Sequence, residues 1–152
     1  MAEQLFRLTN TVALVAWILL VIVPGRRVVS HRLCAVWVPG CLAAIYAVII
    51  AWRLAVAPPA NDLGTIAGLR AAFADDWVFA AAWIHYLAFD MVVGSWIARD
   101  AVRLGLPWPL RTLALVLTFL LGPAGLLLHL VTRRLLRGGS AGDDEAAERP
   151  SP

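Results

Sequence analysis

The chain has 152 residues, of which 61% are hydrophobic and 15% are charged. A soluble domain carries about a quarter charged residues, so this composition excludes a separate soluble catalytic domain and predicts an integral membrane protein. The net charge of +3 is spread through the loops without interleaved aromatic residues, which excludes nucleic acid as an expected partner. No Cys/His spacing typical of a zinc or haem site occurs, and neither a metal nor another cofactor is expected.

Four segments are long and apolar enough to cross a bilayer, which takes about 20 mostly apolar residues in a helix. Charged residues bound each segment at both ends. The four predicted spans cover residues 8–25, 33–52, 77–98 and 112–132. The sequence therefore predicts an all-α fold, an integral membrane four-helix bundle that forms one domain over residues 1–137.

The connection between the second and third predicted spans, residues 57–74, has a pattern of its own. It begins with Pro58 and Pro59 and then offers Asn61 or Asp62 as a helix N-cap. Apolar residues then recur at near-helical spacing, at Leu63, Ile66, Leu69 and Phe73. This pattern predicts a short amphipathic helix on the membrane surface, with an irregular loop as the alternative.

Residues 138–152 contain no apolar residue larger than Ala, so they cannot offset their ordering entropy and are predicted to form a disordered tail. Four spans would place both termini on the same side of the membrane. The arginines outside the tail then divide six against six, and the positive-inside rule does not choose an orientation. All basic residues are Arg and Ala is abundant, a composition that favours a bacterial inner (cytoplasmic) membrane protein.

The third span carries two ionisable residues, His85 and Asp90. Asp90 lies roughly 4 to 5 Å from the bilayer centre, given a rise of about 1.5 Å per residue. A charged carboxylate there costs at least ~2.5 to 3.5 kcal/mol, which favours a functional role. The alternative is that a protonated Asp90 forms a hydrogen bond between helices and that His85 is a core histidine. Both side chains are expected to face the bundle interior.

The helical wheel separates these two side chains by about 140°. His85 and Asp90 therefore cannot pair within the helix, although they can line two walls of one cavity. Three residues share the face of Asp90 and are predicted to contact a substrate: Trp83, Tyr86 and Gly94. Tyr86 precedes Asp90 by one turn and can hydrogen-bond to it.

A proline interrupts the middle of the fourth span, within Gly122-Pro123-Ala124-Gly125. Proline removes a backbone hydrogen bond and kinks a helix. Membrane proteins tolerate such breaks where a neighbour or a cavity satisfies the freed carbonyl, so Pro123 is predicted to line a pocket opposite the third span. The alternative is a plain packing kink with small-residue contacts. His129 lies about 10 Å from the centre of this span and is expected to be close to solvent.

These residues resemble the abscisic-acid-deficient-four-like family, whose best-known members are plant plastid membrane proteins needed for neoxanthin synthesis. The resemblance covers roughly residues 5–136, and its most specific part is the His85-to-Asp90 segment. It also includes Asn10, Trp17 and Pro24 in the first span, Gly94 and Trp96 in the third, and Gly122, Pro123 and Gly125 in the fourth.

The resemblance implies a membrane protein that acts on, or assists action on, a carotenoid or related isoprenoid. In the plant case an epoxycarotenoid is isomerised to an allene without net redox change. Such a step needs a general acid at the epoxide oxygen and a base for a carbon-bound proton. Asp90 and His85 match the family pattern at polar positions, and the resemblance makes them the candidate catalytic residues.

Two functional hypotheses follow. The first is a non-redox isomerase whose carotenoid or isoprenoid substrate enters sideways from the lipid. The second is a non-catalytic membrane subunit that scaffolds a partner enzyme or delivers substrate to it. Ion or proton transport is weaker, because one carboxylate and one histidine make a poor relay and no inverted repeat is visible. The expected partners are membrane lipid, the isoprenoid ligand, and a partner membrane enzyme or a second copy of the chain.

Overall fold

A computed structural model describes the backbone of residues 1–58 and 63–147 and the side chains of this range up to Leu136. The regular structure in this part of the chain is entirely helical, as the sequence predicts. The elements are α1 (Ala2–Ile22), a π-helical segment (Val28–Trp37) that runs directly into α2 (Val38–Val56), α3 (Ile66–Phe73), α4 (Asp76–Arg103), α5 (Trp108–Leu121) and α6 (Pro123–Ala147).

Three helices within the described residues are long and apolar enough to cross a membrane. They are α1, the continuous helix over residues 28–56, and α4, with 21, 29 and 28 residues. At about 1.5 Å per residue each reaches the roughly 30 Å thickness of the hydrocarbon core. They correspond to the first three predicted spans, although α1 ends at Ile22, three residues before the predicted end. The expectation of a helical membrane bundle is confirmed.

The central helix of the bundle is α4, which contacts α1, α2, the π-helical segment and α5. Much of its buried surface consists of small residues, including Ala81, Ala88 and Ala98. Small side chains let helix backbones approach closely, which is how membrane helices associate when lipid is as apolar as the side chains. The indole of Trp17 in α1 covers Gly94, where a Cβ would overlap the ring.

The fourth member of the bundle differs from the straight span predicted over residues 112–132. The chain reverses at Gly122, which has φ +45°, and α6 then returns along α5. A Cβ on Gly125 would overlap the backbone nitrogen of Thr118 and the carbonyl oxygen of Ala114. In one straight helix Ala114 and Gly125 would be about 16 Å apart. Residues 108–134 therefore form a helical hairpin, here called the α5–α6 hairpin, with Gly122 at its tip.

The short helix predicted between the second and third spans is present as α3, and its position on the membrane surface stays a prediction. Its N-cap is Thr65, whose hydroxyl oxygen accepts a hydrogen bond from the Gly68 N–H at 3.1 Å. The N-cap expected at Asn61 or Asp62 falls outside the described residues. Asp75 then caps α4 by accepting from two backbone N–H groups and forms an ion pair with Arg53 of α2.

The backbone of α6 is helical through Ala147, within the segment for which the sequence predicts disorder. The side chains beyond Leu136 and all of residues 148–152 lie outside the described part of the chain. The predicted disordered tail therefore stays a prediction.

The helices place the loops on two faces of the bundle. The N-terminal face holds the start of α1, the end of α2, α3 and the start of α4. The opposite face, here called the arginine-rich face, holds the end of α1, the start of the π-helical segment, the end of α4 and the start of α5. The α5–α6 hairpin begins at that face and returns to it, because His129 of α6 contacts Asp100 near the end of α4.

This topology overturns the even division of arginines expected for four crossings. The N-terminal face carries Arg7, Arg53 and Arg70. The other face carries eight arginines with described side chains: Arg26, Arg27, Arg32, Arg99, Arg103, Arg111, Arg133 and Arg134. The division changes because α6 turns back and brings its arginines to the face from which α5 starts.

Candidate functional site

The carboxyl group of Asp90 lies at the middle of α4, directly against the tip of the α5–α6 hairpin. A Cβ added to Gly122 would be 2.9 Å from Oδ1 of Asp90. The side chain is half-buried, and it forms no hydrogen bond or ion pair with any residue that the structure describes. A carboxyl group that served only to hold helices together would bond to its neighbour. Asp90 therefore stays a candidate site residue that packs against the hairpin tip.

His85 lies on another side of α4, at the outer surface of the bundle. Its ring is close to three aromatic rings, with centroid distances of 5.5 Å to Tyr46 of α2, 4.6 Å to Phe89 and 6.0 Å to Tyr86. The expectation that His85 faces the bundle interior is wrong, because its side chain is exposed. The structure therefore does not bring His85 and Asp90 to a common cavity.

The residues predicted to contact a substrate are dispersed. The indole N–H of Trp83 donates to Oδ1 of Asn10 at 3.0 Å and so ties α4 to α1. Gly94 is covered by Trp17, and Tyr86 and Pro123 are exposed at the outer surface. Pro123 directly follows Gly122, the residue that packs against Asp90.

An apolar groove of about 280 Å³ runs between α1 and α5, here called the α1–α5 groove. Trp17 and Phe119 form part of its wall, with ring centroids 5.5 Å apart. The remaining lining residues are Leu14, Ile18, Val21, Ile22, Leu115 and Val116. The sequence predicts an apolar cavity near Gly122 and Pro123 instead, and neither residue lines this groove.

A larger apolar groove, of about 630 Å³, lies at the N-terminal face between α1 and α2. Trp52 and Trp77 bound it, with their rings edge to face at 5.3 Å. Beneath α3 lies a third cavity, of about 460 Å³, whose lining includes Tyr46 together with the ion-paired Arg53 and Asp75. The bundle thus offers several apolar surfaces to a membrane-soluble ligand.

A cluster of charged residues surrounds Asp100 near the end of α4. Oδ2 of Asp100 lies 3.0 Å from Nε2 of His129 and 3.3 Å from Nε of Arg133, and Oδ1 lies 3.2 Å from Arg103. His129 is completely buried, with its ring edge-on to Trp96 at 5.1 Å. The expectation of a solvated His129 is wrong, because the return of α6 packs this residue against α4.

Sequence reasoning missed this cluster because its members are distant in the chain. Asp100 and His129 are separated by 29 residues. One signal was present: Asp100 is an isolated carboxylate among the arginines at the end of α4. An acidic residue in such surroundings indicates a specific ion-pair partner, but its identity depends on the hairpin.

Together, the three long apolar helices and the helical hairpin packed on them are typical of a polytopic α-helical membrane protein. The family model described as ABA4-like, ABA DEFICIENT 4-like, matches residues 4–129. The chain belongs to this family, and the resemblance inferred from the sequence is confirmed. No curated protein and no solved structure matches the chain. The matched region includes Asp90, Gly122, Asp100 and His129, but not Arg133.

Proposed function

We propose that the protein binds a carotenoid or related isoprenoid taken sideways from the bilayer and isomerises it without net redox change. One observation carries this proposal: Asp90 is half-buried at mid-membrane beside Gly122 and has no hydrogen-bond partner among the described residues. A carboxyl group at this depth costs at least ~2.5 to 3.5 kcal/mol if charged, and here the fold gains no hydrogen bond from it. The ABA DEFICIENT 4-like family supports the link to carotenoid metabolism.

The α1–α5 groove is the proposed route for the apolar part of the substrate. A long hydrophobic molecule needs apolar walls and only a few polar groups to orient it. The groove meets this requirement, and its wall residue Trp17 also covers Gly94, one helical turn beyond Asp90. Substrate in the groove therefore lies on the side of α4 that carries Asp90, away from His85.

A single carboxyl group can perform both proton transfers that isomerisation of an epoxide requires. The O–H of a neutral Asp90 donates its proton to the epoxide oxygen as the carbon–oxygen bond breaks. The other oxygen of Asp90 accepts a proton from the adjacent carbon, whose electron pair forms the new double bond. The product is an isomer of the substrate, and Asp90 regains its starting state. His85 is not assigned to this step, because it faces another side of α4.

The test is Asp90→Asn in the full chain, purified and reconstituted in lipid vesicles with an epoxycarotenoid. We expect conversion to be abolished and the melting temperature to stay close to that of the wild type, because Asn keeps the size of Asp but cannot exchange a proton. Asp76→Asn is the matched control, since Asp76 is an exposed carboxylate on the same helix. Full activity in Asp90→Asn, or loss of the folded protein, would refute the catalytic assignment.

The same experiment separates the isomerase from the accessory subunit. Wild-type protein that binds the carotenoid and supports conversion only when a partner enzyme is added would establish the scaffold or delivery role. A homo-oligomer and a location in a bacterial inner membrane also stay proposals, which native mass spectrometry and membrane fractionation would test.

A further inference from the structure

A polar cavity of about 450 Å³ opens at the arginine-rich face, between the ends of α1 and α4 and the start of the π-helical segment. Three arginines from two helices line it: Arg27, Arg99 and Arg103. Asp100 is the one carboxylate among its lining residues. We call it the basic cavity.

The charge of Asp100 is already matched by partners on both oxygens. Arg103 bonds to Oδ1, and Arg133 and His129 lie against Oδ2. Arg103 and Arg133 are therefore both held beside Asp100, which lines the cavity. Neither Arg27 nor Arg99 forms an ion pair with this carboxylate, whose charge is shared by Arg103 and Arg133.

Arg99 is held in place by neutral groups alone. Its guanidinium donates to the backbone carbonyl oxygen of Ser30 and to the hydroxyl of Ser95, the latter at 3.2 Å. The side chain is partly buried at the edge of the membrane span, where a cation without a counter-ion is costly. Arg27, at the mouth of the cavity, forms no ion pair with any described residue.

We propose that the basic cavity binds a phosphate group, carried by an anionic lipid headgroup or by a free phosphate. A guanidinium presents two parallel N–H groups that match two phosphate oxygens, and such charge-assisted bonds are the strong ones. Arg99 is already oriented by Ser30 and Ser95, so little side-chain entropy is lost when the anion binds. The volume of the cavity falls within the usual range for small-ligand sites, about 300 to 1,000 Å³.

The α1–α5 groove gives the lipid source a place for an acyl chain. Val21 and Ile22 line this groove, and Pro24 and Gly25, just beyond them in the chain, line the basic cavity. A phospholipid can therefore place its head in the cavity and the start of one chain at the Val21 and Ile22 end of the groove, where it would compete with a substrate that fills the whole groove. The phosphate proposal does not depend on Asp90 or on the carotenoid, because the cavity lies at the membrane surface.

The test uses the full chain purified in a neutral detergent, with binding followed by the shift in melting temperature and by native mass spectrometry. The probes are inorganic phosphate, dioctanoyl phosphatidylglycerol and dioctanoylglycerol, which lacks the phosphate. Binding of inorganic phosphate would identify the free anion as sufficient, and binding of phosphatidylglycerol alone would identify the headgroup. Binding of neither probe, or equal binding of dioctanoylglycerol and phosphatidylglycerol, would overturn the proposal.

Arg99→Gln should weaken binding by about tenfold or more, since a hydrogen bond to a charged group contributes about 1.5 to 3 kcal/mol. Arg27→Gln should weaken it in the same direction, and it removes an exposed side chain, so it stays informative if Arg99→Gln does not fold. The matched control is Arg26→Gln, which removes the same charge from an exposed neighbour that does not line the cavity. A loss in Arg26→Gln equal to that in Arg27→Gln would show nonspecific attraction to surface charge and would refute the site.

Discussion

His129 of α6 lies 3.0 Å from Asp100 of α4, although a straight helix from residue 112 to 132 would carry His129 towards the opposite face of the membrane. This contact fixes the direction of the α5–α6 hairpin. Arg133, one turn further along α6, contacts the same carboxylate and lies over the Trp96 ring at 5.6 Å. The described residues therefore contain three helices long enough to cross a membrane, and His129 and Arg133 lie at the end of the bundle opposite to the N-terminus.

The first prediction concerns orientation. Arginines in the loops of membrane proteins are more frequent on the cytoplasmic side. The N-terminal face carries three arginines and the arginine-rich face carries eight, so the arginine-rich face is expected to be cytoplasmic. We expect the N-terminus outside the cytoplasm and Arg134 inside it. Single-cysteine variants Ala2→Cys and Arg134→Cys, in a background with Cys34 and Cys41 replaced by Ala, would be labelled with a membrane-impermeant maleimide in intact cells.

Only Ala2→Cys should react before the membrane is permeabilised. Arg103→Cys is the control, since it should follow Arg134→Cys if both lie on the arginine-rich face. Labelling of residues 2 and 134 from the same side would mean four crossings, and the hairpin would then be wrong.

The second prediction concerns the contact between Asp100 and His129. His129→Ala removes a bonding partner from a buried carboxylate and leaves a void, and we expect a loss of stability of about 2 kcal/mol. His129→Gln should recover part of it, because its amide N–H₂ can donate to Oδ2 of Asp100. Melting temperature in detergent is the measurement. His31→Ala, at an exposed position, should change little, and an unaltered melting temperature in His129→Ala would contradict the role assigned to the pair.

The third prediction concerns the hairpin tip. Gly122→Ala places a side chain at φ +45° and within 2.9 Å of Asp90 Oδ1, so we expect destabilisation of about 1 to 3 kcal/mol. The double variant Gly122→Ala with Asp90→Ala should regain only the stability that was lost through the contact with Asp90, because the backbone strain at residue 122 remains. The control is Gly40→Ala in α2, where a Cβ meets no atom within 4 Å. Equal melting temperatures for the two glycine variants would argue against the reversal at Gly122.

Hydropathy predicted the helices well, because in each crossing helix most side chains face lipid and are apolar. The same property concealed the hairpin, since its two arms also face lipid and have the composition of a span. Gly122 and Pro123 indicated a break in the helix. The difference between a kink and a full reversal depends on the contact of Gly125 with Thr118 and Ala114, which is a tertiary contact.

Only part of the candidate site could be predicted from the sequence, because the rest depends on tertiary contacts. Helix geometry alone separates His85 from Asp90 by about 140°. Which of the two becomes buried depends on the neighbours of α4: the hairpin tip covers Asp90, and α2 leaves most of His85 uncovered. The basic cavity could not be predicted from the sequence, since it joins the end of α1 to the end of α4, two segments that are distant in the chain.

The reversal at Gly122 also constrains how the protein is assembled in the membrane. A tip at mid-membrane interrupts the helical hydrogen bonding between α5 and α6, and an unpaired backbone group in hydrocarbon costs several kcal/mol. An isolated hairpin is therefore unstable in lipid and requires a protein surface, and its tip packs against Asp90 of α4. Since α4 precedes the hairpin in the chain, ribosomal synthesis delivers that surface first. We therefore expect the three long helices to be inserted before the hairpin docks onto α4.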